Sequence, residues 1–70
     1  MKTIEILNAV DFGSALRQAR KRQDLTIHDL ALASGVSPAW LSEVERGKDN
    51  ARIGQLLHIA NVLGLKVQIG

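Results

Sequence analysis

Thr26-Ile27-His28-Asp29-Leu30-Ala31-Leu32-Ala33-Ser34-Gly35-Val36-Ser37-Pro38-Ala39-Trp40-Leu41-Ser42-Glu43-Val44 is the stretch that decides the fold. Thr26 is followed three residues later by Asp29, close to a capping box although Asp is shorter than the preferred Glu. Ile27, Leu30 and Ala31 then fall on one side of a helix. Gly35 stops that helix, because glycine takes the left-handed conformation without a Cβ clash. Ser37 is a good N-cap and Pro38 suits the first helical position, so a second helix opens at once. Leu41 and Val44 mark its buried side, and Gly47 is expected to close it after about nine residues. Ala31 lets the two helices approach, Gly35 permits the sharp reversal, and Val36 can plug the angle. Together these are the sequence form of a helix-turn-helix.

Upstream, Phe12, Leu16 and Ala19 share a helical face, with Asp11 or Ser14 as the expected cap and an end near Gln23-Asp24. Downstream, Asn50 is the expected cap of a further helix whose inward stripe is Ile53, Leu56, Leu57, Ala60 and Leu63, ended by Gly64. The period then changes. Leu65, Val67 and Ile69 alternate with Lys66 and Gln68, as in a half-buried strand, and Ile4 and Ile6 alternate more weakly near the start. A lone strand leaves its backbone unsatisfied, so residues 65–69 need a partner: residues 3–7, or the same segment of a second subunit. The expected fold class is all-α with one short C-terminal strand. The expected organisation is one domain over 1–70, with a core at about 12–64.

Seventy residues hold one small, marginal core. Without cysteine there is no disulfide or thiolate metal site to staple it, so stability must come from helix packing or a partner subunit. The absence of cysteine, of an apolar run near the roughly 20 residues of a membrane span, and of a signal-peptide pattern predicts a soluble cytoplasmic protein. The net charge of +2 is weak, but its placement is not uniform. Arg17, Arg20, Lys21 and Arg22 form one basic cluster and Arg46, Lys48 and Arg52 another. They are either solvated helix ends or a local field that attracts phosphate.

With Leu41 and Val44 inward, Ala39, Ser42 and Arg46 face outward on the helix after the turn, flanked by Pro38 and Glu43. A small, polar face of this kind can enter a DNA major groove. Trp40 lies at the boundary, where its ring either packs on a neighbouring helix or donates its indole N–H to a phosphate. His28 and His58 stand apart with no cysteine, which is a poor metal site. Ser14, Ser34, Ser37 and Ser42 lack a nucleophile elbow or an adjacent base, and no glycine motif cradles phosphate. The expectation is no enzyme, no metal and no cofactor.

Residues 12 to 63 resemble the lambda-repressor/Cro-like (XRE) helix-turn-helix family, through Leu25 to Ala31, Ser34 to Lys48 with its Glu45-Arg46-Gly47-Lys48 end, and the pairs Ile59-Ala60 and Leu63-Gly64. The resemblance implies a four- to five-helix domain that binds double-stranded DNA at a near-palindromic operator. It implies that Ser37, Pro38, Ala39, Ser42 and Glu43 face base edges, and that Lys48, Asn50 and Arg52 grip phosphates in the following loop. Thr26, His28, Trp40 and Arg46 are further phosphate candidates. Arg20 and Glu45 match a structural ion pair. Ile27 departs from the family, which often has Gln there for a phosphate contact. Leu65, Val67 and Ile69 after the last helix resemble the strand of HipB-like antitoxins. That implies a homodimer paired through this strand, a role as repressor of its own operon, and a HipA-like kinase toxin as partner.

Overall fold

The computed structural model describes residues 2–6 and 8–69, and places four helices between two terminal strands. The order is β1 (Lys2–Ile6), α1 (Ala9–Arg22), α2 (Ile27–Ser34), α3 (Pro38–Glu45), α4 (Ile53–Val62) and β2 (Leu65–Ile69).

Local chemistry sets most of the helix ends. The Thr26 hydroxyl accepts from the Asp29 N–H at 3.0 Å, and the Asp29 carboxylate accepts from the Thr26 N–H at 2.9 Å. The short Asp side chain therefore closes a full capping box. The Thr26 backbone N–H, then the Thr26 hydroxyl, hold the Asp29 carboxyl below its ordinary value of 3.8, with a smaller effect from the His28 charge. A depressed carboxyl supports the fold above its unfolded pKa, and that support is lost as pH falls through the lowered value. Gly35 caps α2 at φ 73°, and the Val36 N–H returns to Ala31 O at 3.0 Å. Ser37 accepts from the Trp40 N–H at 3.1 Å, with Pro38 opening α3. α3 has eight residues, ends at Glu45, and gives way to Gly47 at φ 101°.

Two caps differ from the sequence expectation. α1 starts at Ala9 because Asn8, not Asp11 or Ser14, accepts from the Asp11 N–H at 2.9 Å. Asn and Asp cap equally well, so the earlier residue extends the helix by three positions. α4 is preceded by Arg52 in an extended conformation with no side-chain cap, and Asn50 lies two residues short of that position.

The core joins Phe12, Leu16 and Ala19 of α1, Leu30 and Ala31 of α2, Leu41 and Val44 of α3, Ile59 and Ala60 of α4, and Leu63 and Leu65. The inward stripe of α4 is narrower than expected. Ile53 and Leu57 are 57% and 43% exposed, whereas Ile59 is fully buried. At about 100° per residue, Leu56, Ile59, Ala60 and Leu63 fall within about 100° of one another and Leu57 stands roughly 100° from Leu56, while Ile53 is the first residue of α4, at the end of the stripe.

Ser34, at the end of α2, is buried, and its hydroxyl has no partner among the described residues. A buried hydroxyl without a partner costs about 1 kcal/mol or more. Ser34→Ala is therefore expected to raise the melting temperature by about 4–8 °C in a domain of this size. A fall would show that the hydroxyl is hydrogen-bonded.

β2 pairs in parallel with β1, Lys2 opposite Leu65 and Ile6 opposite Ile69. Of the two partners open to residues 65–69, the strand pairs with the N-terminal segment of its own chain. The paired segment starts one residue earlier than 3–7, and Leu7 lies outside the described residues. Leu65 is buried, while the side chains of Val67 and Ile69 lie outside the described part.

Candidate nucleic-acid interface

α3 is held against α1 by two contacts. At Gly13 the helices come so close that a Cβ would strike the Val44 carbonyl oxygen and stand 2.8 Å from that of Glu45. Beside it, Arg20 Nε and Nη2 donate to the two Glu45 carboxylate oxygens at 2.8 and 3.0 Å, and Nη1 donates to Leu25 O at 2.9 Å. The side chains are only 12% and 6% exposed. Such a two-pronged geometry is the strong form of a charge pair. It ties α1, the α1–α2 connection and α3 into one unit, so the outer face of α3 is presented rigidly. Gln23 also donates to Leu63 O at 2.8 Å, joining the ends of α1 and α4.

The outer face of α3 carries Ser37, Ala39 and Glu43 exposed, with Pro38 and Ser42 half-buried. Trp40 is half-buried against the core, and its indole N–H has no partner among the described residues. The geometry therefore leaves room for both roles considered for it, packing and donation. Arg46 is exposed one helical turn beyond Ser42. Asn50 and Arg52 are exposed on the segment leading to α4. Lys48 bridges to Glu43 at 3.2 Å across an exposed surface, where such a pair contributes little. Thr26 and His28 are exposed at the start of α2, with the Thr26 hydroxyl already accepting its capping bond. His58 is exposed on α4.

A cleft of about 310 Å³ opens between α1, α2 and α3, lined by Arg17, Arg20, Ile27, Ser42, Glu45 and Arg46. From the sequence, Arg17 is either solvated surface charge or part of a field that attracts phosphate. Its spacing of three from Arg20 is the signal that puts both on one side of α1. Gly13 was missed, although a glycine inside an amphipathic helix is a recognised sign of close approach.

Among the described residues, no three His, Asp or Glu side chains gather as a metal site, and no helix is long and apolar enough to cross a membrane. Two packed helices around a glycine turn, with a small polar outer face and cations at its rim, define a helix-turn-helix DNA-binding protein. The chain belongs to the helix-turn-helix domain family, whose model matches residues 11–68. The family is one of transcription regulators, a non-enzymatic DNA-binding class. The uncharacterized HTH-type transcriptional regulator y4mF of Sinorhizobium fredii is 34% identical over 64 residues, 91% of this chain and 84% of that protein. The HTH-type transcriptional repressor RghR of Bacillus subtilis is 49% identical over 37 residues, 53% of this chain but only 27% of that longer protein. Among solved structures, the clp gene regulator ClgR of Corynebacterium glutamicum superposes with TM-score 0.78 at 38% identity, covering 90% of this chain and 81% of that one. The restriction-modification controller protein C.AhdI of Aeromonas hydrophila gives 0.75 at 33% identity, covering 83% and 88%.

Proposed function

We propose that residues 1–70 act as one cytoplasmic, homodimeric repressor domain that reads a near-palindromic operator upstream of its own gene. The observation that supports this most is the outer face of α3, small and polar at its N-terminal end and flanked by arginines that pair with no carboxylate among the described residues. Ser37, Pro38, Ala39, Ser42 and Glu43 meet base edges, with Ala39 against a thymine methyl and Ser42 on any base edge. None of these makes the bidentate pairing of Arg, Asn or Gln, so DNA shape carries much of the specificity. Thr26, His28, Trp40, Arg46, Lys48, Asn50 and Arg52 hold phosphates. The dimer uses the surface around Leu65, Val67 and Ile69. β2 meets β1 along one edge, and among the described residues no strand pairs with its other edge, where a second copy can add.

The test is a titration of the chain against the duplex upstream of its gene and a scrambled duplex, each at two salt concentrations. Tighter binding to the native duplex at both salts is expected, with a dimer by sedimentation. Ala39→Glu puts a carboxylate into the groove and should weaken operator binding about 100-fold or more without changing the melting temperature. Wild-type affinity in that variant would overturn the assignment of the α3 face.

The β2 strand directly after α4 favours a second, narrower reading, an antitoxin of the HipB kind that binds a HipA-like kinase toxin. A module devoted mainly to neutralising that toxin, and a regulator with no toxin, are the competing forms. Ala39→Glu separates them, since a neutralising surface elsewhere keeps its toxin when the operator is lost.

A further inference from the structure

We propose that the cleft between α1, α2 and α3 seats one phosphodiester of the DNA backbone, gripped by Arg17 from one wall and Arg46 from the other. The inference rests on the operator-binding reading above and adds a site and a residue to it.

Three arginines and one glutamate are among the residues that line the cleft. Arg20 is used up by Glu45 and the Leu25 carbonyl. Arg17 and Arg46 remain, both exposed and neither paired with a carboxylate among the described residues. The half-buried Ser42 also lines the cleft, and its hydroxyl can donate to an anion. Asp29 is the nearest other acid on α2, but its carboxylate is turned into the Thr26 cap and is not part of the lining. The cleft therefore carries two exposed positive charges that no described carboxylate neutralises, and an anion seated there meets both at once.

Position decides which anion. Ser42 and Arg46 also belong to the outer side of α3, so an occupant of the cleft sits at the rim of whatever groove α3 enters. A duplex places its backbone at that rim. Ile27, at the first position of α2, lines the cleft with an apolar side chain that cannot donate. Arg17 supplies the donor from the opposite helix, and its planar fork suits two phosphate oxygens at once.

The experiment compares the full-length wild type with Arg17→Ala, Arg17→Lys and Arg22→Ala, on the upstream and scrambled duplexes across a salt series. Arg22 is the control. It has the same charge on the same helix but faces Leu63, Gly64 and Leu65. Arg17→Ala should weaken both duplexes about tenfold at low salt. It should lower the slope of log affinity against log salt by about 0.9, the signature of one lost phosphate contact. Arg17→Lys should restore the slope, and Arg22→Ala should leave it unchanged. Unchanged melting temperatures identify these as surface effects. If wild type prefers the upstream duplex and Arg17→Ala keeps the full slope, or Arg22→Ala lowers it equally, the cleft assignment is wrong and the operator reading survives. If wild type binds neither duplex, both fall.

Discussion

Gly13→Ala is expected to destabilise the chain by about 2–3 kcal/mol and lower its melting temperature by more than about 10 °C. Helix propensity alone predicts the opposite sign, since alanine is favoured over glycine by about 1 kcal/mol in a helix interior. The difference lies in what the added methyl meets. At Gly13 it meets the carbonyl oxygens of Val44 and Glu45, and backbone cannot rotate aside as a long side chain can. To make room, α1 and α3 must separate, which loosens Phe12 and Leu16 against Leu41 and Val44. Gly54 provides the contrast within the same molecule. It is also helical, and a Cβ there meets nothing within 4 Å, so Gly54→Ala should be neutral or stabilising. Thermal denaturation of the two variants settles the matter. Equal shifts would mean that α1 and α3 are further apart than described.

Glu45→Ala should cost about 3–5 kcal/mol, the penalty for leaving a buried charge without its partner. For 70 residues, total stability is on the order of 4–10 kcal/mol, so the variant is left near the edge of folding. The cause is specific. Arg20 would keep its bond to Leu25 O but lose both carboxylate oxygens in a setting that admits little water. Replacing both members tests this. Arg20→Met with Glu45→Leu removes the charges together and should recover much of the loss, because apolar isosteres often serve as well as a buried pair. Urea denaturation of the single and double variants gives the comparison. A double variant as unstable as Glu45→Ala would show that Arg20 acts through Leu25 instead.

The turn chemistry around α2 and α3 was legible because every signal there is local. Thr26 with Asp29, Gly35, and Ser37 with Pro38 each act within four residues of themselves. The start of α1 was not. Asn8, Asp11 and Ser14 can all cap, and local sequence does not say which one the chain uses. Ile53 and Leu57 read as core because an apolar stripe does not state how much of it the neighbouring elements cover. The Arg20–Glu45 contact joins positions 25 apart, and no spacing rule links them; only the family resemblance put them together. The Arg17 cleft needs three helices assembled before it exists. The partner of the terminal strand stayed open for the same reason.

That parallel pairing has a consequence for the order in which the molecule forms. Every residue of β1 meets one 63 positions further along, so the whole helical unit is the loop that the strands close. Closing a free loop of that length costs about 4 kcal/mol of chain entropy before any strand contact is made. Helices whose contacts are mostly nearer in sequence carry no such penalty and assemble faster. The strands therefore zip last, onto helices already in place, and open first. Their amides should exchange with solvent while α3 is still folded, so the ends of the chain can come apart without loosening the helical unit.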